Sequence, residues 1–89
     1  MATKELIKEE VKEDINYTPS LILWNDSVNS FDWVIDSLVK VLGHNKLQAE
    51  QCAYMVHHSG KCSVKSGEEK TLKIFAERLG DRGLTVSIE

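Results

Sequence analysis

The last six residues, Leu84 to Glu89, alternate without a break: Leu84, Val86 and Ile88 are apolar, while Thr85, Ser87 and Glu89 are polar. A period of two marks a strand with one dry and one wet face, because successive side chains leave a pleated backbone on opposite sides. Such a strand belongs to a sheet covered on one side only, so the rest of the chain must supply the cover. Lys61 to Lys65 repeats the pattern, with Cys62 and Val64 on the inner side and Lys61, Ser63 and Lys65 facing out. A third β-favouring run, Leu21 to Trp24, ends at Asn25-Asp26-Ser27, which is turn chemistry.

The cover comes from three stretches of helical spacing. Ser30 is placed to cap the first, in which Phe31, Val34, Ile35, Leu38, Val41 and Leu42 recur on one face until Gly43. Asn45 with Gln48 reads as a capping box for the second, whose stripe of Ala49, Cys52, Ala53 and Val56 stops before Ser59-Gly60. Ser66 with Glu69 reads as a capping box for the third, carrying Leu72, Phe75, Ala76 and Leu79 and closing at Gly80. The order β-α-α-β-α-β predicts an α+β fold: a single two-layer sandwich, with a three-stranded antiparallel sheet and three helices packed on one face.

Residues 1–18 are of another kind. Lys4, Lys8 and Lys12 alternate with Glu5, Glu9, Glu10, Glu13 and Asp14, and little apolar surface is left to bury. They read as a flexible charged N-terminal extension, and Pro19 opens a core domain over 19–89. A net charge of −3 argues against a phosphate-binding surface, so nucleic acid is not an expected partner. No apolar run approaches the ~20 residues of a membrane span, and the charged opening lacks the core of a secretory signal, so a cytoplasmic location is expected. Cys52 and Cys62 are then free thiols.

Three groups carry polar chemistry: Asn25-Asp26, the pair His57-His58, and the cysteines. Asn-Asp at a strand exit is most often a turn, and a histidine at a helix end most often a favourable charge near the negative pole. A metal site from His44, Cys52, His57, His58 and Cys62 fails on spacing, because Cys52 and His57 point to different faces of one helix and no C-x-x-C exists. Nucleophilic catalysis fails on burial, because both cysteines fall on core faces where a thiol is an inert small hydrophobe. No catalytic residue, metal or cofactor is assigned, and a small hydrolase remains only as a reading that predicts ester turnover sensitive to His57→Ala.

The sharper reading rests on a resemblance. LILWNDSVNSFDWVIDSLVKVLG, followed by QAEQCAYMVHHSGK, resembles the ClpS family, adaptors that hand proteins with destabilising N-terminal residues to an AAA+ Clp ATPase-protease. The resemblance runs from about Leu21 to Glu89 and rests on the strand-exit Asn-Asp, the V-H-H-x-G at the end of the second helix, and the order of elements. It implies that Asn25, Asp26 and His57 hold the free α-amino group of an N-degron. It also implies that Asn29, Phe31, Val34, Ala53, Val56 and Leu84 line a pocket for its bulky first side chain (Leu, Phe, Tyr or Trp). An α-ammonium presents three N–H donors and calls for three acceptors, at least one anionic, which a carboxylate, an amide oxygen and a neutral imidazole supply.

Two departures from the family pattern bear on the pocket. Ser27 stands where many members carry a second acid, and Ala53 where a larger residue, often Met, narrows the mouth. Ser27 removes a charge near the amine, and Ala53 makes the expected pocket wider, open to Trp, Phe and Tyr, with β-branched first residues excluded less strictly. Asn29, in place of a more usual Thr, is expected to bond the peptide backbone. The resemblance further implies contact with the N-terminal domain of a Clp AAA+ ATPase, ClpA- or ClpC-like, through Lys61, Glu68 and Lys70, and a monomer is expected. The alternative reading is a structural interaction domain resembling the C-terminal domain of ribosomal stalk proteins, in which Asn25, Asp26 and His57 only shape turns and caps.

Overall fold

The computed structural model describes residues 17–89. They run in the order β1 (Ser20–Trp24), α1 (Phe31–Leu42), α2 (Lys46–Ser59), β2 (Lys61–Ser66), α3 (Glu69–Asp81) and β3 (Thr85–Ile88). The strands form one antiparallel sheet in the order β2-β1-β3, the α+β sandwich the spacing predicts. All but the last two residues of the charged extension, 1–18, lie outside the described residues.

Central β1 sets the core. Leu21 and Leu23, 0% and 1% exposed, pack with Leu38, Leu72, Leu79, Val64 and Leu84. Burying each such leucine contributes about 1.5–3 kcal/mol, so this layer holds the helices to the sheet. The other face carries Ile22 and Trp24. Trp24 Nε1 donates to Ser87 Oγ at 2.8 Å, and the Lys61 ammonium lies 5.1 Å from its ring centroid, which shelters the aromatic body on the open side.

The caps of the first two helices follow the sequence. Ser30 Oγ accepts from the Trp33 N–H at 3.1 Å, and Asn45 Oδ1 from the Gln48 N–H at 2.8 Å. Gly43 closes α1 in the left-handed region, φ 75°, its N–H turned back to the Leu38 and Val39 carbonyls. His44 follows, buried, with the Val64 carbonyl accepting from Nε2 at 2.9 Å and Nδ1 without a partner among the described residues.

Three expectations need correction. Lys65 does not face out with Lys61 and Ser63: a bulge between Leu21 and Ile22 pairs it with core-facing Leu21, and its ammonium sits 5.5 Å from the Phe75 ring centroid. Ser66 does not cap α3. It ends β2 with its hydroxyl 3.0 Å from that of Ser20, and Glu68 takes the cap position with no side-chain bond. Nor does Gly80 close α3, which continues to Asp81 with Arg82 as its cap, while Gly83 takes the left-handed conformation at φ 87°.

Arg82 explains that last difference. Its Nη2 donates to Asp36 Oδ2 at 2.6 Å and its Nε to Ser37 Oγ at 2.9 Å, while the guanidinium lies 4.2 Å from the Trp33 ring centroid. Trp33 Nε1 returns a bond to the Arg82 carbonyl at 2.8 Å. This clasp draws the last turn of α3 against α1 and buries Ser37 completely.

Candidate functional site

The loop leaving β1 is tied at once to the end of α2. The Asn25 N–H donates to the Gly60 carbonyl at 2.9 Å, and Gly60, at φ 92°, ends α2 in the left-handed conformation. Asn25 and Asp26 thereby lie beside the last turn of α2, which carries His57.

Within the loop, Asp26 is bound from several directions. Its Oδ1 accepts from the backbone N–H groups of Val28 and Asn29, both at 3.0 Å, and from Asn29 Nδ2 at 3.1 Å. Its Oδ2 accepts from Asn29 Nδ2 at 2.9 Å and from Thr85 Oγ1 at 3.3 Å. The backbone bond from Asn29 chiefly, then those from Val28 and the side chains of Asn29 and Thr85, hold its carboxyl below the ordinary 3.8 against the opposing effect of burial. The turn reading and the binding reading of Asp26 are thus compatible, since turn chemistry is what fixes the carboxylate.

Asn29 is committed on its donor side. Its Nδ2 reaches both carboxylate oxygens of Asp26 and also the Gly83 carbonyl at 2.9 Å. With two N–H groups shared among three acceptors, only its Oδ1 is left for a peptide backbone.

Around this loop lies a cavity of about 570 Å³, lined by Asn25, Asp26, Ser27 and Asn29 from the loop, Phe31 and Val34 from α1, and Ala53, Val56 and His57 from α2. That volume suits a single large side chain with its attached backbone. The structure therefore gathers Asn25, Asp26 and His57 with five of the six expected pocket residues. Leu84, the sixth, lies in an adjoining space of about 20 Å³ that shares Asn25, Asp26, Asn29, Val34 and Val56 with the larger one.

His57 is exposed on the last turn of α2, and no side-chain hydrogen bond holds its ring among the described residues. It stands edge-on to His58, centroids 5.2 Å apart, and His58 in turn lies 4.1 Å from the Tyr54 ring. The cysteines belong to the core instead. Burial, with the neighbouring Cys62 thiol, pushes Cys52 up to about 12, which keeps it protonated and unreactive near neutrality.

Lys61, Glu68 and Lys70 are exposed but not adjacent. Lys61 begins β2, whereas Glu68 and Lys70 stand at the start of α3 beyond its other end, about 16 Å away by strand rise. Sequence reasoning missed Arg82, Gly83 and Thr85. In the sequence they read only as a charge after a helix, a turn glycine and the polar half of an alternation.

Comparison with known proteins adds to this geometry. A family model described as "ATP-dependent Clp protease adaptor protein ClpS" matches residues 14–87. The ATP-dependent Clp protease adapter protein ClpS of Corynebacterium aurimucosum is 32% identical over 93 residues, a match covering 100% of this chain and 83% of that protein. Its counterpart from Rhodococcus opacus is 28% identical over 68 residues, covering 76% of this chain and 61% of that protein. Among solved structures, Agrobacterium tumefaciens ClpS2 bound to L-phenylalaninamide superposes with a TM-score of 0.78 at 19% identity, over 81% of this chain and 94% of that one. At that identity the likeness is one of fold.

Proposed function

The chain belongs to the ClpS family of ATP-dependent Clp protease adaptor proteins, and from that premise we propose that it selects its cargo by a free α-amino group and a bulky apolar first side chain. One observation carries the reading: Asn25, Asp26 and His57 line the same cavity as Phe31, Val34, Ala53 and Val56. Asp26 supplies the anionic acceptor, the Asn25 side-chain oxygen a neutral one, and a ring nitrogen of His57 the third. The first side chain enters the apolar part of the cavity.

Charge-assisted hydrogen bonds contribute about 1.5–3 kcal/mol each, and burying a Leu or Phe side chain adds about 1.5–3 kcal/mol. These sums support micromolar or tighter binding. L-Phenylalaninamide, the ligand of the Agrobacterium protein, joins a free amine to an aromatic side chain and an amidated carboxyl, the same chemistry this cavity would read. Ala53 and the half-exposed Phe31 make a mouth open to Trp, Tyr and Phe as well as Leu.

Delivery completes the proposal. The cargo passes to the N-terminal domain of a ClpA- or ClpC-like ATPase through a face that includes Lys61 or the start of α3 at Glu68 and Lys70, with residues 1–18 serving as an extension used in handover from the 19–89 core. The adaptor acts as a monomer in the cytoplasm and performs no chemistry on the peptide.

The test is a fluorescence titration with peptides that differ only at the first residue. Leu-, Phe-, Tyr- and Trp-initiated peptides bind, and Gly- or Asp-initiated ones do not. Equal binding across the whole series removes the pocket from the account.

A further inference from the structure

Resting on the proposed amine recognition, we propose that Thr85 and Arg82 are positioning residues of the site: the turn between α3 and β3 fixes the Asn29 amide and, with it, the Asp26 carboxylate in the orientation that receives the ammonium. Neither residue lines the main cavity. Both act through others.

The connections form one continuous path. Arg82 is anchored on α1 by Asp36, Ser37 and the Trp33 ring. Its clasp sets the backbone of the turn, whose Gly83 carbonyl takes one N–H of Asn29. The other N–H of Asn29 falls across both oxygens of Asp26, and Thr85, first residue of β3, donates its hydroxyl to Oδ2.

Donor counting shows what the path does. Oδ1 of Asp26 already accepts from three donors, so it has no lone pair to offer a ligand. The Asn29 N–H is shared between the two oxygens, so Oδ2 holds only part of that donor and the long 3.3 Å bond from Thr85, and it is the oxygen with capacity for an ammonium. Thr85 therefore steadies the one oxygen left for recognition while binding it weakly enough to leave room. Without this back wall the carboxylate keeps only its loop N–H bonds at Oδ1, and the position of Oδ2 must be set on binding.

The charged and titratable neighbours leave Asp26 to this wall. Arg82, the cation of the turn, is paired with Asp36, which also takes Lys40 at 3.4 Å. Lys61, beside Gly60, lies over Trp24. His57 of α2 is the other titratable group that lines the cavity.

The experiment uses the full chain and three variants. Thr85→Val keeps the β-branched shape and removes the hydroxyl, Thr85→Ser restores the hydroxyl, and Arg82→Met removes the fork while keeping an apolar stem against Trp33. Two quantities are read: the NMR pH titration of the Asp26 carboxyl carbon, and the affinity for a free-amine Phe-initiated peptide. Thr85→Val raises the Asp26 titration midpoint and weakens peptide binding about fivefold, the effect of one ordinary hydrogen bond. Thr85→Ser returns both toward the parent, and Arg82→Met shifts both in the direction of Thr85→Val. An unchanged Asp26 midpoint in Thr85→Val overturns the positioning role. Failure of the parent chain to bind the peptide overturns the amine reading instead, and the carboxyl titration still decides whether the wall orients Asp26.

Discussion

Two acceptors that line the cavity, Asp26 and His57, are held by opposite means. Asp26 accepts hydrogen bonds from Val28, Asn29 and Thr85, whereas among the described residues the exposed His57 ring makes no side-chain hydrogen bond and meets the edge of His58. The difference teaches which acceptor is ready before a ligand arrives. The carboxylate is oriented by the fold, so its share of binding carries little ordering cost, while the imidazole must be ordered by the ligand and gives part of its bond back as lost freedom.

The comparison breaks most visibly at Asp26. Asp26→Ala removes the charge and leaves Asn29 and the loop N–H groups without their acceptor. Affinity for a free-amine peptide falls about a hundredfold or more, as judged by fluorescence anisotropy, and stability falls with it. His57→Ala costs about tenfold in affinity with stability within ~0.5 kcal/mol of the parent, because its ring holds nothing else in place. An equal loss of stability in both variants contradicts the asymmetry.

The pH dependence of stability sharpens the same contrast. The bonds to Asp26 lower its folded-state carboxyl below the ordinary 3.8, so they contribute stability that is fully present above that value and lost as pH falls through the lower, folded one. Thermal unfolding followed from pH 5 to 2 shows a stability loss that Asp26→Asn reduces and His57→Ala leaves unchanged. A loss of the same size in Asp26→Asn contradicts this.

The smallest effect is expected at the pocket mouth. Ala53→Met fills part of the cavity from α2, so Leu- and Phe-initiated peptides lose at most a few fold while Ile- and Val-initiated ones lose more. Affinities measured as Ile-to-Leu ratios check it, and an unchanged ratio removes Ala53 from selectivity.

How much of this was legible in the sequence depends on the range of each contact. The element order, the caps at Ser30 and Asn45 and the inner faces of the strands all follow from local periodicity, and all are present in the fold. Lys65 departs from the alternation because a bulge is a property of two paired strands, and no single run of residues shows it. Gly80 reads as a helix end in the sequence because the clasp that extends α3 joins Arg82 to Asp36 and Ser37 across 46 and 45 residues. The candidate site divides in the same way. The residues lining the cavity were legible through the family resemblance and its motifs, but the support behind them was not, since Thr85 meets Asp26 across 59 residues and Asn29 meets Gly83 across 54.

The central claim is that Asn25, Asp26 and His57 grip the first amine of another polypeptide, and one measurement addresses it directly: the affinity of the full chain for a Leu-initiated peptide against that of its N-acetylated twin. Acetylation removes the positive charge and two of the three donors, so the twin is predicted to bind at least about a hundredfold more weakly. Equal affinities for the two peptides contradict the account.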